Sequence, residues 1–445
     1  MHETNSPYRF TRVLRCCSAA LALFSLSAFA DSPYTDGISE SGQNHTDPRY
    51  QRATIAPTLA RLDPGEAQKF NVVMVATRLM AAEVPASVTW SVNDIPGGND
   101  AIGHITENGE YTAPATMPSP REINIVAEVP EAANPFLFAT VIIGDAPILY
   151  KSVHVWAEKN EAEGTHLLTP HGIGLDKDEN ILITDMGNSK VHRYTQEGAY
   201  IGNIGLGAGR EDGEISKPRE VTSDVDGRIF VTDSKGDRPR VQVFSNEGEF
   251  LQIFAEKGRL PGMLLRAHGM DHDRARNLFV VDVDNMRVNV YDQFGKSIRD
   301  WGQEGLLTGE LNAPHGLFVD RSGDVFVTGY YGPTQKFSPF GDFVAAFGHG
   351  APPDGPSYFH SVSGDKWGNA YLSVRNKGGY DGAIQKGDEG YYSIMKYNNN
   401  GDFICGWAYS AKEHSESEVA VADDGRVFCL FSGGGESGVE TFQQE

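Results

Sequence analysis

Four of the 13 histidines in this 445-residue chain fall on one position of a repeated segment. In chain order that position holds His171, Arg219, His268, His315, His360 and Ser417. Composition alone would put about 0.2 histidines in six such slots. Neutral imidazoles suit Zn, Cu, Fe and Ni alike, and three of them with an open position make a catalytic metal site. His171, His268 and His360 come from alternate copies, so around a common axis they stand about 120° apart and face one point. His315 is then a fourth ligand, an outer partner or a proton carrier, and Arg219 a contact for an anionic group. The plainer reading of any one of them is a polar residue in the turn before a strand, bonded to a neighbouring carbonyl.

The segments that position these residues run from about Ile148 to the C-terminus. Copies begin TPHGIGLDKDENILITD, KPREVTSDVDGRIFVTD, AHGMDHDRARNLFVVD, APHGLFVDRSGDVFVTG, FHSVSGDKWGNAYLSV and SEVAVADDGRVFCLF. Each continues into a third strand and a fourth of the form G-x-F-hydrophobic, and 50 glycines supply the turns. Six four-stranded units around an axis describe a six-bladed β-propeller, whose innermost strands line a channel. The last copy ends too soon for an outer strand, while ILYKSVHVWAE stands unclaimed before the first. That N-terminal strand is expected to complete the last blade and close the ring.

The repeat text resembles the NHL family over nearly all of residues 148–445. The motifs PHGIGLD, AHGMDHD and FHSVSGD on alternate copies further resemble the peptidyl-hydroxyglycine alpha-amidating lyases. Those are six-bladed propellers with a zinc on three channel histidines, a tyrosine base, carboxylate-holding arginines and a structural calcium. The resemblance implies zinc on His171, His268 and His360, and cleavage of a hydroxyglycine-type substrate. The chain departs from that pattern at three places: Lys235 replaces the tyrosine, Val283 an arginine, and Ser361 an aspartate that helps the calcium. Replacements are expected on the rim formed by loops leaving the second strands, which offers Asp185, Lys235, Asp282, Tyr330, Tyr331, Arg375 and Lys377. Lys235, Tyr330 or Tyr331 could take a proton, and Arg375 could hold a carboxylate.

Ahead of the repeats lie three further segments. Arg9, Arg12 and Arg15 precede an apolar run ending Ala28-Phe29-Ala30, the pattern of a cleaved secretory signal over residues 1–30. Residues 31–52 are polar and unpatterned, as a flexible linker is. Residues 53–145 hold short alternating runs that predict a β-sandwich. Its stretch Trp90-Ser91-Val92, Gly103 and Gly109-x-Tyr111-x-Ala113-Pro114 resembles bacterial immunoglobulin-like domains. The expected fold is thus all-β, a sandwich and then a propeller over residues 146–445, in the periplasm or outside the cell. No later run is long enough to span a membrane. Cys405 and Cys429 remain after the signal, and whether they pair is left open.

Sixty Asp and Glu against 38 Lys and Arg give a net charge of -22, which repels a phosphate backbone and argues against nucleic-acid partners. Two functions fit what is left. One is an exported metal-dependent lyase acting on a small or peptide substrate that is hydroxylated or carboxylated. The other is a propeller that binds a cell-surface protein or glycan. A lactone hydrolase would want carboxylates and amides around a calcium where this chain has imidazoles.

Overall fold

Hydrophobic alternation and glycine turns fold the repeats into six four-stranded antiparallel sheets, seen in a computed structural model. It describes residues 51–445 apart from 76–83, 160–165, 234–237, 331, 349–356, 377–384, 388–389, 409–415 and 434. The signal and most of the linker expected at the N-terminus lie outside the described residues. The first sheet runs Pro170–Leu175, Ile181–Asp185, Lys190–Tyr194 and Tyr200–Ile204. The first strands of the next sheets are Pro218–Ser223, Ala267–His272, Pro314–Val319, Ser357–Gly364 and Glu416–Val421. These first strands pack side by side in chain order, and the sixth packs against the first. The ring is a β-propeller with those strands around its channel.

The sixth sheet takes its outer strand from Tyr150–Lys159, which pairs antiparallel with Glu436–Gln444. The Asp that follows the first five inner strands has a local job. Asp176 Oδ1 accepts the N–H groups of Asp178 and Asn180, both at 2.9 Å, and Asp320 and Asp365 repeat the pattern. A carboxylate that satisfies two turn amides pins the hairpin between inner and second strands.

Strands between Ala53 and Ile143 form sheets of five, four and two strands. They enclose an apolar core of their own around Phe70, Trp90, Tyr111 and Ile125. This part sits on the hairpin end of the fourth and fifth sheets. Arg52 Nη1 donates to Asp324 at 2.8 Å, Arg321 to Asp94 at 2.7 Å, and Ser322 Oγ to the Phe136 carbonyl at 2.6 Å. Buried Lys396 pairs with buried Glu122 at 2.6 and 2.8 Å. Ile142 and Ile148 continue into the apolar cluster of Tyr371, Ile394 and Trp407. No helix among the described residues is long and apolar enough to cross a membrane.

Candidate metal centre

Each histidine of the tier sits on a β-bulge at the start of an inner strand. In the first sheet Pro170 faces Asp185 and Ile173 faces Ile183, so His171 and Gly172 together oppose Thr184. The second to fifth sheets repeat the shift at residues 219–220, 268–269, 315–316 and 360. A bulge re-aims the side chains on it. A hydroxyl from the second strand fastens it: Thr184, Thr232, Thr328 and Ser373 accept the N–H of Gly172, Glu220, Gly316 and Ser361 at 2.7 to 3.0 Å. The sixth sheet is paired regularly through Ser417 and Glu418.

The bulges gather all four histidines, each nearly fully buried. Ring centroids of His171, His268 and His360 are 4.9, 6.1 and 6.4 Å apart. His315 lies between two of them, 3.5 Å from His268 and 4.1 Å from His360. Two carboxylates join them. Glu220 Oε1 is 3.3 Å from His268 Nδ1 and 3.6 Å from His171 Nδ1, and Glu418 Oε1 is 2.6 Å from His360 Nδ1. The donors thus form two compact sets, His171–Glu220–His268 and His315–His360–Glu418, with ligand atoms within 4.8 Å of one another in each.

Burial, with the charges of His171, Arg219 and His360, holds His268 well below the usual imidazole value. Burial and the other three histidines do the same for His315. Both rings are neutral at neutral pH, the form that binds metals. His268 Nε2 and Glu418 Oε1 are buried without a hydrogen-bond partner. Orphaned atoms of these types, two imidazoles and a carboxylate to a set, fit a divalent transition metal.

Of the other expected residues, Arg219 Nη1 lies 3.3 Å from His171 Nε2. The Tyr330 ring is 4.8 Å from that of His315. Lys235, Tyr331 and Lys377 lie outside the described residues. Arg375 belongs to the strand Ala370–Asn376, and its side chain lies outside them too. Asp185 and Asp282, expected on the rim, are buried instead. Their carboxylates take the amides that lead into the inner strands, those of Leu168 and Thr169 for one and of Leu265 and Arg266 for the other.

Glu220 and Glu418 were not among the expected site residues, though the sequence carries a signal for them. The residue after the tier is Gly172, Gly269, Gly316 or Ser361 in the four copies with histidine. It is Glu in the two copies without.

From these carboxylates a cavity of about 800 Å³ runs toward the hairpin end, past Thr222, Asp271 and Ser363 to Asp94. Burial raises the Asp271 carboxyl to about 6, against N–H donation from Val319 and His272. A carboxyl with a raised folded value contributes stability below its ordinary 3.8 and loses it as pH rises through about 6. Asp271→Asn is therefore expected to gain stability relative to wild type between pH 5 and pH 7.5, whatever its offset, in thermal unfolding at the two values. A constant difference between the proteins would refute the assignment.

No protein-family model matches the sequence. Solved structures similar to the chain include virginiamycin B lyase from Staphylococcus aureus, at 10% identity over 67% of this chain and 88% of that one, TM-score 0.45. A gluconolactonase from Xanthomonas campestris matches at 12% identity over 67% and 99%, TM-score 0.45. A protein of unknown function from Bacteroides thetaiotaomicron matches at 13% identity over 89% and 98%, TM-score 0.48.

Proposed function

We propose that this chain is an exported, metal-dependent enzyme with lyase-like chemistry, built on a six-bladed propeller behind an immunoglobulin-like domain. What carries the reading is the pair of buried histidine–carboxylate sets at the channel, with His268 Nε2 and Glu418 Oε1 lacking hydrogen-bond partners. A divalent metal, zinc by the family resemblance, supplies Lewis-acid activation of a substrate hydroxyl. The chain's own residues do the rest. The Arg219 guanidinium holds a carboxylate through paired N–H donors. Tyr330, beside His315, takes the proton released from the hydroxyl, with Lys235 and Tyr331 as the other candidates and Arg375 as a second anion clamp. The substrate class is a small or peptidyl alpha-hydroxy acid of the hydroxyglycine type.

Purified without a histidine tag, the mature protein is expected to carry about one equivalent of a transition metal by mass spectrometry. A His171→Ala/His268→Ala/His360→Ala variant is expected to carry none. Absence of metal from the wild type, even after incubation with zinc, would overturn the enzyme reading and favour a propeller that binds a protein or glycan.

A further inference from the structure

The two donor sets differ in their charged surroundings, and the difference points to one of them. A guanidinium has five N–H donors and no acceptor. Arg219 Nη1, 3.3 Å from His171 Nε2, must therefore donate to it, which makes Nε2 the lone-pair nitrogen of His171. The hydrogen then sits on Nδ1, the nitrogen facing Glu220 Oε1 at 3.6 Å. A metal ion on Nε2 would displace this hydrogen bond and stand against a permanent positive charge. One on Nδ1 would force the other tautomer, with two N–H donors opposed. His268, the other imidazole of the set, also has Arg219 and Arg266 among its charged neighbours.

The second set has no such obstacle. His315 Nδ1 lies 3.0 Å from the His360 carbonyl oxygen, which can only accept, so Nδ1 carries the hydrogen and Nε2 the lone pair. Glu418 Oε1 approaches His360 Nδ1 to 2.6 Å off the hydrogen-bond line and accepts no hydrogen bond. With His315 these residues offer three ligand atoms within 4.8 Å of one another, a span that one ion can bridge after a small parting of the closest two. Among the described residues no lysine or arginine pairs with Glu418 or His315.

We propose that one divalent transition-metal ion is held by His315, His360 and Glu418, and that His171, engaged by Arg219, stands outside the ligand set. The proposal rests on the metal reading above and replaces the three-histidine set that the family resemblance implies. Two imidazoles and a carboxylate leave positions open for water or substrate.

The test uses the full mature chain, stripped with a chelator and titrated with Co²⁺, whose visible bands report coordination, with Zn²⁺ as competitor. Wild type is expected to bind one equivalent. Glu418→Gln and His315→Ala should each weaken binding by about 100-fold or more, beyond the range for outer-shell changes. His171→Ala should stay within about threefold of wild type. Glu418→Gln is nearly isosteric and carries the test alone if His315→Ala does not fold, as judged by circular dichroism. Loss of metal in His171→Ala as complete as in Glu418→Gln would overturn the assignment, as would wild-type affinity in Glu418→Gln. A wild type that binds no metal fails differently, since it removes the metal reading itself.

Discussion

Lys396→Met is expected to destabilise the protein by about 3–5 kcal/mol, the usual cost of stranding one partner of a buried ion pair. Lys396 and Glu122 are each 3% exposed and meet at 2.6 and 2.8 Å. The ammonium also lies 3.3 Å from the Tyr150 hydroxyl and 5.1 Å from the Tyr371 ring centroid. Removing it leaves a carboxylate with no counterion in a site walled by Tyr150, Tyr371 and Trp407. The double variant Glu122→Leu/Lys396→Met leaves no charge behind and should recover most of the loss. Denaturant unfolding of the single and double variants measures both effects. Equal midpoints for wild type and Lys396→Met would show that the pair does not couple the N-terminal part to the ring.

The lysine's contribution to the pair is also expected to be insensitive to pH below its ordinary 10.5. Burial pulls the Lys396 value down, but Glu122 and Tyr150 more than offset it, and the net direction is upward. A lysine with a raised folded value stabilises below its ordinary 10.5 and loses that contribution only above it. The stability difference between wild type and Glu122→Leu/Lys396→Met, which lacks both charges, should therefore stay constant from pH 6 to pH 9.

The second large effect is expected at a residue without a side chain. A Cβ on Gly269 would lie 2.5 Å from the His315 carbonyl oxygen, 2.7 Å from the Leu317 nitrogen and 2.9 Å from the Gly316 carbonyl carbon. All three are backbone atoms of the neighbouring inner strand, so no rotamer change can relieve the contact. Gly269→Ala must push the third and fourth inner strands apart, at a cost of about 1–3 kcal/mol or more. The same shift separates His268 from His315, whose rings are 3.5 Å apart. The variant should lower the melting temperature by several degrees and weaken metal binding at least tenfold, by thermal unfolding and metal titration. Wild-type values for both would mean that the inner strands yield more easily than their packing implies.

The recurring Pro-His-Gly text is explained by this packing, and much of it was legible in the sequence. Alignment of the copies on one recurring strand element placed His171, His268, His315 and His360 on one tier, and the unclaimed ILYKSVHVWAE strand found its place in the sixth sheet. Glu220 was harder to find for a geometric reason. In a regular strand neighbouring side chains point to opposite faces, so a residue beside a channel histidine should point away from it. The bulge at Arg219 breaks that alternation, and it puts Glu220 near the same imidazoles. The contact of Arg219 with His171 crosses between sheets, and a repeat alignment fixes position within a sheet rather than distance across two. Lys396 was hidden for the opposite reason: a lysine in a short strand suggests a solvent-facing position, and only tertiary packing supplies Glu122.

The seam in the sixth sheet sets the order in which this molecule can be made. Tyr150 pairs with Gln444 and Lys159 with Glu436, so the strand Glu436–Gln444 must meet one that emerged almost a whole propeller earlier. Until then the first and sixth inner strands cannot be locked together, and the strand Tyr150–Lys159 presents unpaired backbone, a template for aggregation. Joining residues so far apart in the chain carries a large loop-closure entropy, which makes the final step slow. The N-terminal part, whose core draws only on residues between Ala53 and Ile143, has no such wait and can form while the rest is still being delivered. Removing the strand Glu436–Gln444 would leave the circle open rather than slightly shortened.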